Sequence, residues 1–352
     1  MVFSYYLYKY PYKLGWYFFR LLKKNPDFVV YLADPLDYVV LKPIIKHLPP
    51  VEYACKNRKT RKYLDNLSIP NKRLPSFPKT VLMCRHAAHK FSVRKIQRFG
   101  CRHGAYHFKE FTHASSYNAF NLYFVTSRKE VEIAEANSIS STRAIGFPKL
   151  DPAFDGTLNE STLKPFRKKA KLDPRRKTLI FTTTWDNSGM SAIERWIDEL
   201  PSLANVYNVL VTVHPWMSSQ YIDRLRGMSD IYFIEEPDAL PYLMLADVMI
   251  ADHSSIIAEF CALDKPIITF ATPQQERSPA EIRKLLKNIS IRVNNFTEMR
   301  HAIETCLANP AAKQAQRQAA NSLMFDQFLD GNAGKRVAEM ILREINEKSR
   351  RY

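Results

Sequence analysis

Short apolar runs alternate with helical patterns along this chain, and the alternation forms two sets with a break between them. Such alternation is typical of βαβ units, in which crossover helices join parallel strands. At 352 residues the chain is also longer than one compact core usually holds. We therefore predict an α/β protein of two doubly wound, Rossmann-like domains that face a cleft, where ligands would bind beyond the carboxyl ends of the strands.

The apolar runs place the elements of the two domains. The first set predicts strands at 28–32, 51–55, 80–84 and 121–126, and helices at 36–47 and 128–137. The second set predicts strands at 178–182, 206–213, 231–234, 247–251 and 266–270, and helices at 190–200, 217–227, 239–245, 255–263, 296–308 and 333–347. Residues 151–176 are rich in Pro, Lys and Arg, which is typical of a linker. The predicted division is a first domain at 1–150, a linker at 151–176 and a second domain with C-terminal helices at 177–352.

The excess of positive over negative charge in this chain lies in the first predicted domain. The net charge is +17, and residues 1–150 hold 26 Lys and Arg against 9 Asp and Glu, whereas the remainder is balanced. A basic domain is suited to an anionic partner such as phospholipid headgroups, nucleic acid or a polyanionic substrate.

Several function classes lack their sequence signals. There is no G-x-G-x-x-G, P-loop, H-E-x-x-H or G-x-S-x-G motif. The five cysteines are scattered and never spaced as C-x-x-C, which favours reduced thiols in the cytoplasm over a zinc site or disulfide framework. No apolar run approaches the ~18 residues that span a bilayer, and the N-terminus does not resemble a secretory signal.

A candidate phosphate site follows the strand predicted at 247–251. Asp252 ends the strand, and Ser254 and Ser255 open the next helix. Backbone N–H groups at a helix start, together with two hydroxyls, are suited to phosphate oxygens. Thr183 and Thr184 follow the strand predicted at 178–182 and offer further hydroxyls. The alternative for both groups is that these side chains only cap a helix or a turn.

Two histidines are candidates for chemistry. His214 ends a buried strand before a proline, where it would either bind phosphate as a cation or donate one hydrogen bond when neutral. His103 precedes Gly104, which lets the backbone turn tightly and leaves the imidazole to act as a general base. The alternative is a structural histidine in each case. The competing bases are His86, His89, His107 and His113.

The first 24 residues interleave aromatic and basic side chains. Tyr and Trp favour the headgroup zone of a membrane, and Lys and Arg attract anionic lipid. We expect membrane-surface contact through Trp16, Lys13, Arg20, Lys23 and Lys24. The alternative is a helix that packs on its own domain and exposes a solvated basic face.

Five ordered motifs resemble those of the CDP-glycerol glycerophosphotransferase family, which comprises the teichoic-acid glycerol and ribitol phosphotransferases. They are His103-Gly104 with Lys109, Gly146-Phe-Pro-Lys149-Leu-Asp151, Thr183-Thr184-Trp185, His214-Pro215, and Asp252-His-Ser254-Ser255 running to Lys265-Pro266. A trailing segment from Asp330 to Arg336 is also similar to the family's C-terminal segment.

The resemblance implies a GT-B-type transferase on the inner face of the cell membrane. Its substrates would be a CDP-alditol donor and a lipid-linked glycan or a growing teichoic-acid or capsule-like polymer. An acceptor hydroxyl would attack the phosphorus that carries the alditol, with His103 as base, and CMP would leave. His214, Ser254, Ser255, Asp252, Thr183 and Thr184 would serve the donor. Lys109, Gly104, Lys149 and Asp151 would support the acceptor.

We expect no obligatory metal, because no acidic cluster is evident, although Mg²⁺ bound through phosphate oxygens is compatible with the sequence. One alternative function is a GT-B glycosyltransferase that uses a nucleotide sugar. Another is a basic membrane- or nucleic-acid-binding protein without catalysis, but we expect no nucleic-acid partner because the aromatics are concentrated at the N-terminus.

Overall fold

The computed structural model describes residues 2–106, 108, 110–273 and 279–349. It contains two sheets. The strands are β1 Phe28–Leu32, β2 Glu52–Cys55, β3 Lys72–Arg73, β4 Thr80–Met83, β5 Gln97–Cys101, β6 Leu122–Val125, β7 Thr142–Ala144, β8 Thr178–Thr183, β9 Asn208–Val213, β10 Tyr232–Phe233, β11 Val248–Ala251, β12 Ile267–Phe270 and β13 Ser290–Val293.

Helices connect these strands and cover both termini of the described chain. They are α1 Val2–Leu21, α2 Pro35–Ile45, α3 Arg58–Asn66, α4 Ala114–Tyr117, α5 Arg128–Ala136, α6 Asp151–Phe154, α7 Glu160–Lys169, α8 Leu200–Ala204, α9 Ser219–Arg226, α10 Leu240–Leu245, α11 Ile256–Ala262, α12 Ala280–Ile289, α13 Phe296–Ala308, α14 Gln314–Phe325 and α15 Ala333–Ser349. Where 190–200 was predicted as one helix, the chain forms two 3₁₀ turns before α8.

Both sheets are parallel and doubly wound, which confirms the predicted α/β class. The first has the order β3-β2-β1-β4-β5-β6-β7, and the second has the order β10-β9-β8-β11-β12-β13. Each described pairing is parallel, as in the register of Val29 with Glu52 and of Leu179 with Val209. The strand order reverses between β1 and β4 in the first sheet and between β8 and β11 in the second, and ligands bind at such switch points.

The chain divides into two compact units. The first unit contains Met1–His103, Phe111–Asp151 and Gln327–Tyr352, and the second contains Gly104–Glu110 and Pro152–Asp326. Each has its own core: Phe91 and Tyr31 are buried in the first, and Phe181 and Trp196 in the second.

The last helix belongs to the first unit, which corrects the predicted placement of all C-terminal helices in the second domain. Helix α15 packs against α2, and a Cβ on Gly334 would lie only 2.4 Å from the carbonyl oxygen of Pro43. The Asp151 carboxylate also accepts hydrogen bonds from the N–H groups of Ala333 at 3.0 Å and Gly334 at 2.7 Å. The chain therefore returns to the first unit at its C-terminus.

The predicted linker is also partly helical. Helix α7 begins at a capping box, in which the Asn159 side chain accepts from the N–H of Thr162 while the Thr162 hydroxyl accepts from the N–H of Asn159. Leu163 is buried, and α7 packs against α10. Four of the Lys and Arg residues that suggested a linker, at 164, 167, 168 and 169, lie on this helix, where long cationic side chains are well tolerated.

Helix α1 corrects the expectation for Trp16. This side chain is 1% exposed, and its Nε1–H donates to the carbonyl oxygen of Pro78 at 2.7 Å, so Trp16 anchors the helix to its own unit rather than facing a membrane. Tyr12 is buried on the same face. Lys23, Lys24 and Arg20 remain exposed, and Lys13 is half-buried. No helix among the described residues is long and apolar enough to span a bilayer.

Candidate active site

The switch point of the second sheet gathers several of the predicted donor residues. Strand β8 ends at Thr183 and the neighbouring strand β11 ends at Ala251, so the residues that follow them meet at one edge. The N–H of His214, which follows β9, donates to the carbonyl oxygen of Thr183 at 3.2 Å. The structure thus brings Thr183, Thr184, His214 and Asp252 together.

Asp252 organises this edge from inside the fold. Its carboxylate is buried and accepts hydrogen bonds from the N–H of Thr184 at 3.0 Å and of Ala192 at 3.2 Å. It also accepts a short hydrogen bond from the Thr183 hydroxyl and one from the Thr184 hydroxyl at 3.2 Å. Burial raises the pKa of Asp252, and these donors oppose that rise. The carboxylate therefore fixes the turn that begins at Thr184.

The two threonines are buried and bonded within the protein. Thr183 Oγ1 also lies 2.8 Å from the Ser191 hydroxyl, and the Ser188 hydroxyl donates to Thr184 Oγ1 at 3.4 Å. Their hydroxyls accordingly shape the loop after β8, and direct contact of Thr183, Thr184 or Asp252 with phosphate stays a prediction.

Ser254 and Ser255 present their hydroxyls differently. Both side chains are half-buried, and in the described part of the chain neither hydroxyl forms a hydrogen bond. Within the same unit, a Cβ on Gly104 would lie 3.0 Å from Ser255 Oγ. Gly104 has no positive φ, so this close approach, and not a left-handed turn, is the reason for glycine there.

His214 lies in an aromatic cluster. Its ring centroid is 4.8 Å from that of Trp185 and 5.3 Å from that of Trp216. The N–H of Trp216 donates to His214 Nδ1 at 3.1 Å, which leaves the proton of a neutral ring on Nε2. Trp216 is 68% exposed, and sequence analysis did not single it out although it follows His214-Pro215 directly.

The Asp186 carboxylate fixes the loop that follows Trp216 by accepting from the Ser218 N–H at 3.0 Å.

In the first unit, His103 follows β5 and is held by the neighbouring strand. Its ring donates a hydrogen bond to the backbone carbonyl of Cys84, which leaves the other ring nitrogen to accept a proton. Desolvation, followed by the positive charges of Arg85 and Arg102, lowers the pKa of His103 to about 3. The side chain is nevertheless exposed to water, which screens the charges of the two arginines. Because its pKa is lowered, the imidazole is neutral at pH 7.

Among the other histidines considered as the base, two are held by contacts within the first unit and one lies at the surface. His86 stacks on Tyr123 with centroids 5.3 Å apart and donates to a backbone carbonyl at Ser116. His89 donates to the backbone of His86, and His113 precedes α4 at the surface. His107 and Lys109 lie outside the described residues.

The expected acceptor residues Lys149 and Asp151 are both buried. Asp151 is bonded to the first turn of α15, and desolvation raises its pKa to about 6. Its carboxylate thus joins the Gly146–Asp151 segment to the last helix, whereas an acceptor role for Lys149 stays a prediction. Among the residues that the structure describes, no three His, Cys, Asp or Glu side chains are grouped to hold a metal ion.

Comparison with known proteins extends this description. The family described as CDP-glycerol:poly(glycerophosphate) glycerophosphotransferase matches residues 81–343. A teichoic acid poly(glycerol phosphate) polymerase of Bacillus spizizenii is 22% identical over 222 residues, which are 56% of this chain and 52% of that protein. The teichoic acid ribitol-phosphate polymerase TarL of Staphylococcus aureus is 22% identical over 204 residues, which are 54% of this chain and 35% of that protein. The matches thus span about half of these relatives' length or less.

Solved structures show the same fold. The wall teichoic acid polymerase TagF, in a variant soaked with CDPG, has a TM-score of 0.73 at 13% identity, covering 97% of this chain and 98% of that chain. A UDP-GlcNAc 2-epimerase from Neisseria meningitidis has a TM-score of 0.62 at 15% identity, covering 90% of this chain and 100% of that one. These likenesses confirm the expected GT-B-like fold. The family match, which covers most of the chain, confirms the resemblance seen in the sequence: the chain belongs to the CDP-glycerol:poly(glycerophosphate) glycerophosphotransferase family.

Proposed function

We propose that this protein transfers an alditol phosphate, glycerol or ribitol phosphate, from a CDP-alditol to a hydroxyl of a lipid-linked glycan or a growing teichoic-acid or capsule-like polymer, and releases CMP. The observation that carries the proposal is the switch point of the second sheet. There, Asp252 holds the turn after β8, and it is followed by the hydroxyls of Ser254 and Ser255, which form no hydrogen bond to any described residue. Family membership supports the substrate class.

The proposed mechanism is a direct displacement. The acceptor oxygen forms a bond to the phosphorus that carries the alditol, and the bond from this phosphorus to the CMP oxygen breaks. His103 takes the proton of the attacking hydroxyl, which requires a neutral imidazole at neutral pH. His214, through Nε2–H, and the two serine hydroxyls stabilise the charge that develops on the phosphate oxygens. The first unit therefore serves the acceptor and the second the donor.

A panel of donors tests this proposal against its nearest alternative. CDP-glycerol, CDP-ribitol, UDP-sugars and CMP-sugars are each incubated with the protein and membrane acceptor, and nucleotide release is measured. We expect CMP from a CDP-alditol. Release from UDP-sugars alone would favour a glycosyltransferase, and no release from any donor would favour a non-catalytic binding protein.

A variant pair tests the donor site. Ser254→Ala combined with Ser255→Ala should weaken CDP-glycerol binding by about 10- to 10³-fold in a folded protein, because two hydrogen bonds to charged oxygens are lost. Ser202→Ala combined with Ser229→Ala is the matched control, since these hydroxyls bond locally at the surface of the same unit. Equal CDP-glycerol affinity in the two double variants would show that Ser254 and Ser255 do not bind the donor.

No metal is required in this proposal. The groups proposed to stabilise the phosphate charge are the Nε2–H of a histidine and two hydroxyls, and Mg²⁺ would enter only through the phosphate oxygens of the substrate. Turnover should therefore persist after treatment with EDTA. Complete loss with recovery on added Mg²⁺ would show that an ion is obligatory.

We also propose that α1 contacts an anionic membrane surface. The face opposite Trp16 exposes Leu14 at 73% and Leu21 at 82%, and Tyr10, Tyr17 and Phe18 are exposed there as well. Basic side chains lie at the C-terminal end of this helix: Arg20 is in its last turn, and Lys23 and Lys24 follow it. Apolar side chains flanked by cations bind headgroup regions peripherally, with about 1 kcal/mol for each cation near the surface. We therefore propose that the protein attaches peripherally to the inner face of the cell membrane.

Liposome flotation tests the membrane contact. The wild-type protein should float with anionic vesicles, less so as salt rises, and poorly with neutral vesicles. Leu14→Gln combined with Leu21→Gln should abolish the salt-resistant part. Leu67→Gln combined with Leu323→Gln is the control, because these leucines are exposed elsewhere. Equal flotation on neutral and anionic vesicles would contradict the electrostatic contribution.

A further inference from the structure

The first sheet has a switch point of its own, which lies between β1 and β4. Ligands of doubly wound sheets bind where the strand order reverses, beyond the carboxyl ends of the two strands. Strand β1 is followed by Ala33 and Asp34, and β4 is followed by Cys84 and Arg85. Arg85 is therefore the cation that the topology brings to the usual ligand position of this unit.

Arg85 is fixed in place by a carboxylate from inside the fold. Its Nε–H donates to Asp37 Oδ1 at 3.0 Å, and the Asp37 side chain is fully buried. The second oxygen of Asp37 accepts from the N–H groups of Ala33 at 2.8 Å and Asp34 at 3.1 Å, so the carboxylate itself cannot turn away. Asp37 thus holds the guanidinium through one oxygen while the backbone holds its other oxygen.

The outer edge of this guanidinium is open. In the part of the chain that the structure describes, the bond to Asp37 is the hydrogen bond that Arg85 makes, and the side chain is 33% exposed. The Nη1 and Nη2 groups form a planar pair that matches two oxygens of one phosphate. Holding Nε in advance reduces the entropy lost when that pair binds an anion.

A second arginine of the same edge shows what a purely structural arrangement looks like. Arg102, which follows β5, pairs with the buried Glu130 at 3.1 Å, but its side chain is only 16% exposed and lies over the ring of Phe111. Both carboxylates come from the first turn of a helix, Asp37 from α2 and Glu130 from α5. The two pairs are built alike, and Arg85 is the one that presents its charge to solvent.

We propose that Arg85, held by Asp37, binds a phosphate group of the acceptor beside His103. This inference rests on the proposed function. The ring of His103 is bonded to the carbonyl of Cys84, the residue before Arg85, so the proposed base and the cation belong to one corner of the first unit. An acceptor that ends in a glycerol phosphate carries a phosphate close to its attacking hydroxyl. Arg85 would hold that phosphate while the hydroxyl reaches His103.

Binding measurements with two probes test the proposal. The probes are a synthetic trimer of glycerol phosphate, which represents the acceptor, and CDP-glycerol, which represents the donor. Arg85→Gln should weaken binding of the trimer by about 10- to 100-fold, because a charge-assisted bidentate contact is lost, and leave CDP-glycerol binding within about 2-fold. Arg85→Lys should give an intermediate loss, because it keeps the charge without the planar fork. This conservative variant carries the test if Arg85→Gln fails to fold.

The control removes a charge from the other end of the same strand. Lys79 precedes β4, is exposed and pairs with Asp27, so Lys79→Gln should bind the trimer as the wild-type protein does. Loss of affinity equal to that of Arg85→Gln would mean that only net charge matters and would overturn the assignment. Weaker CDP-glycerol binding with unchanged trimer binding would assign Arg85 to the donor and overturn it as well.

Binding also separates this proposal from the proposed function. If the wild-type protein binds the trimer through Arg85 and yet releases no CMP from CDP-glycerol, the anion site is supported and the transfer reaction is contradicted. If CMP is released and Arg85→Gln leaves both the affinity and the acceptor KM unchanged, the reaction stands and the Arg85 site is overturned.

Discussion

Replacing Asp252 with asparagine should destabilise the second unit by about 2–4 kcal/mol. The buried carboxylate accepts from the N–H groups of Thr184 at 3.0 Å and Ala192 at 3.2 Å, and from the Thr183 hydroxyl. Asparagine keeps the shape, but its amide nitrogen only donates, so at least one buried donor loses its acceptor at about 1–3 kcal/mol and the others lose a charged partner. Relief of the buried charge offsets part of this loss.

Urea unfolding followed by tryptophan fluorescence measures this effect, because three of the four tryptophans, 185, 196 and 216, lie in the second unit. Asp247→Asn is the matched control. Asp247 precedes the same strand, β11, and its side chain is 34% exposed. Its carboxylate accepts from the N–H of Thr178 at 2.8 Å, and an asparagine oxygen can still accept there, so its replacement should cost about 1 kcal/mol or less. Equal unfolding midpoints for the Asp252 and Asp247 variants would refute the role given to Asp252.

Three further predictions concern other groups of the two units. Because burial raises the pKa of Asp151 from 3.8 to about 6, the folded state binds more protons than the unfolded state between these values, so this group's contribution to the free energy of unfolding should fall by up to about 3 kcal/mol as pH rises from 4 to 6. Asp151→Asn should remove that part of the slope in pH-dependent unfolding, and an identical slope would contradict it. Lys265→Met should cost the second unit about 1–3 kcal/mol in urea unfolding, since Lys265 Nζ donates to the carbonyl oxygens of Met244 and Ala246 at the C-terminal end of α10, and an unchanged midpoint would contradict this. His103→Asn should lower kcat about 10²- to 10⁴-fold with donor affinity retained, whereas His113→Asn should have little effect, and the reverse pattern would show that the wrong histidine was chosen.

The apolar strands of both sheets could be predicted because they are buried on both faces and read as continuous runs. Strand β5 was missed because its sequence begins with Gln97 and Arg98. The fold tolerates that arginine because its guanidinium donates to the carbonyl oxygens of Phe91 and Val93. Strand β3 was missed because it consists of two exposed residues at the sheet edge. The carbonyl oxygens that bind Arg98 and the strand that pairs with β3 are set by the folded structure, so the sequence pattern alone did not predict these two strands.

The candidate site was predictable to the level of strand ends. Asp252 follows one buried strand and Thr183 ends another, and parallel strands bring such residues to one edge. That these two side chains bond each other depends on β8 and β11 being neighbours, which requires the strand order. The return of the chain at Ala333 to Asp151 likewise joins residues far apart in sequence. Arg85 was overlooked, although a basic residue directly after a predicted strand was a usable signal.

The nucleotide released from CDP-glycerol tests the central claim most directly. Attack on the phosphorus that carries glycerol leaves CMP and adds a glycerol phosphate to the acceptor, whereas attack on the glycerol carbon leaves CDP and adds glycerol alone. Mass spectrometry of both products, with the wild-type protein and with His103→Asn as the control, distinguishes the two. We predict CMP and an acceptor heavier by one glycerol phosphate, both strongly reduced in the variant. CDP as the product, or no acceptor gain while CMP accumulates, would contradict the proposed transfer.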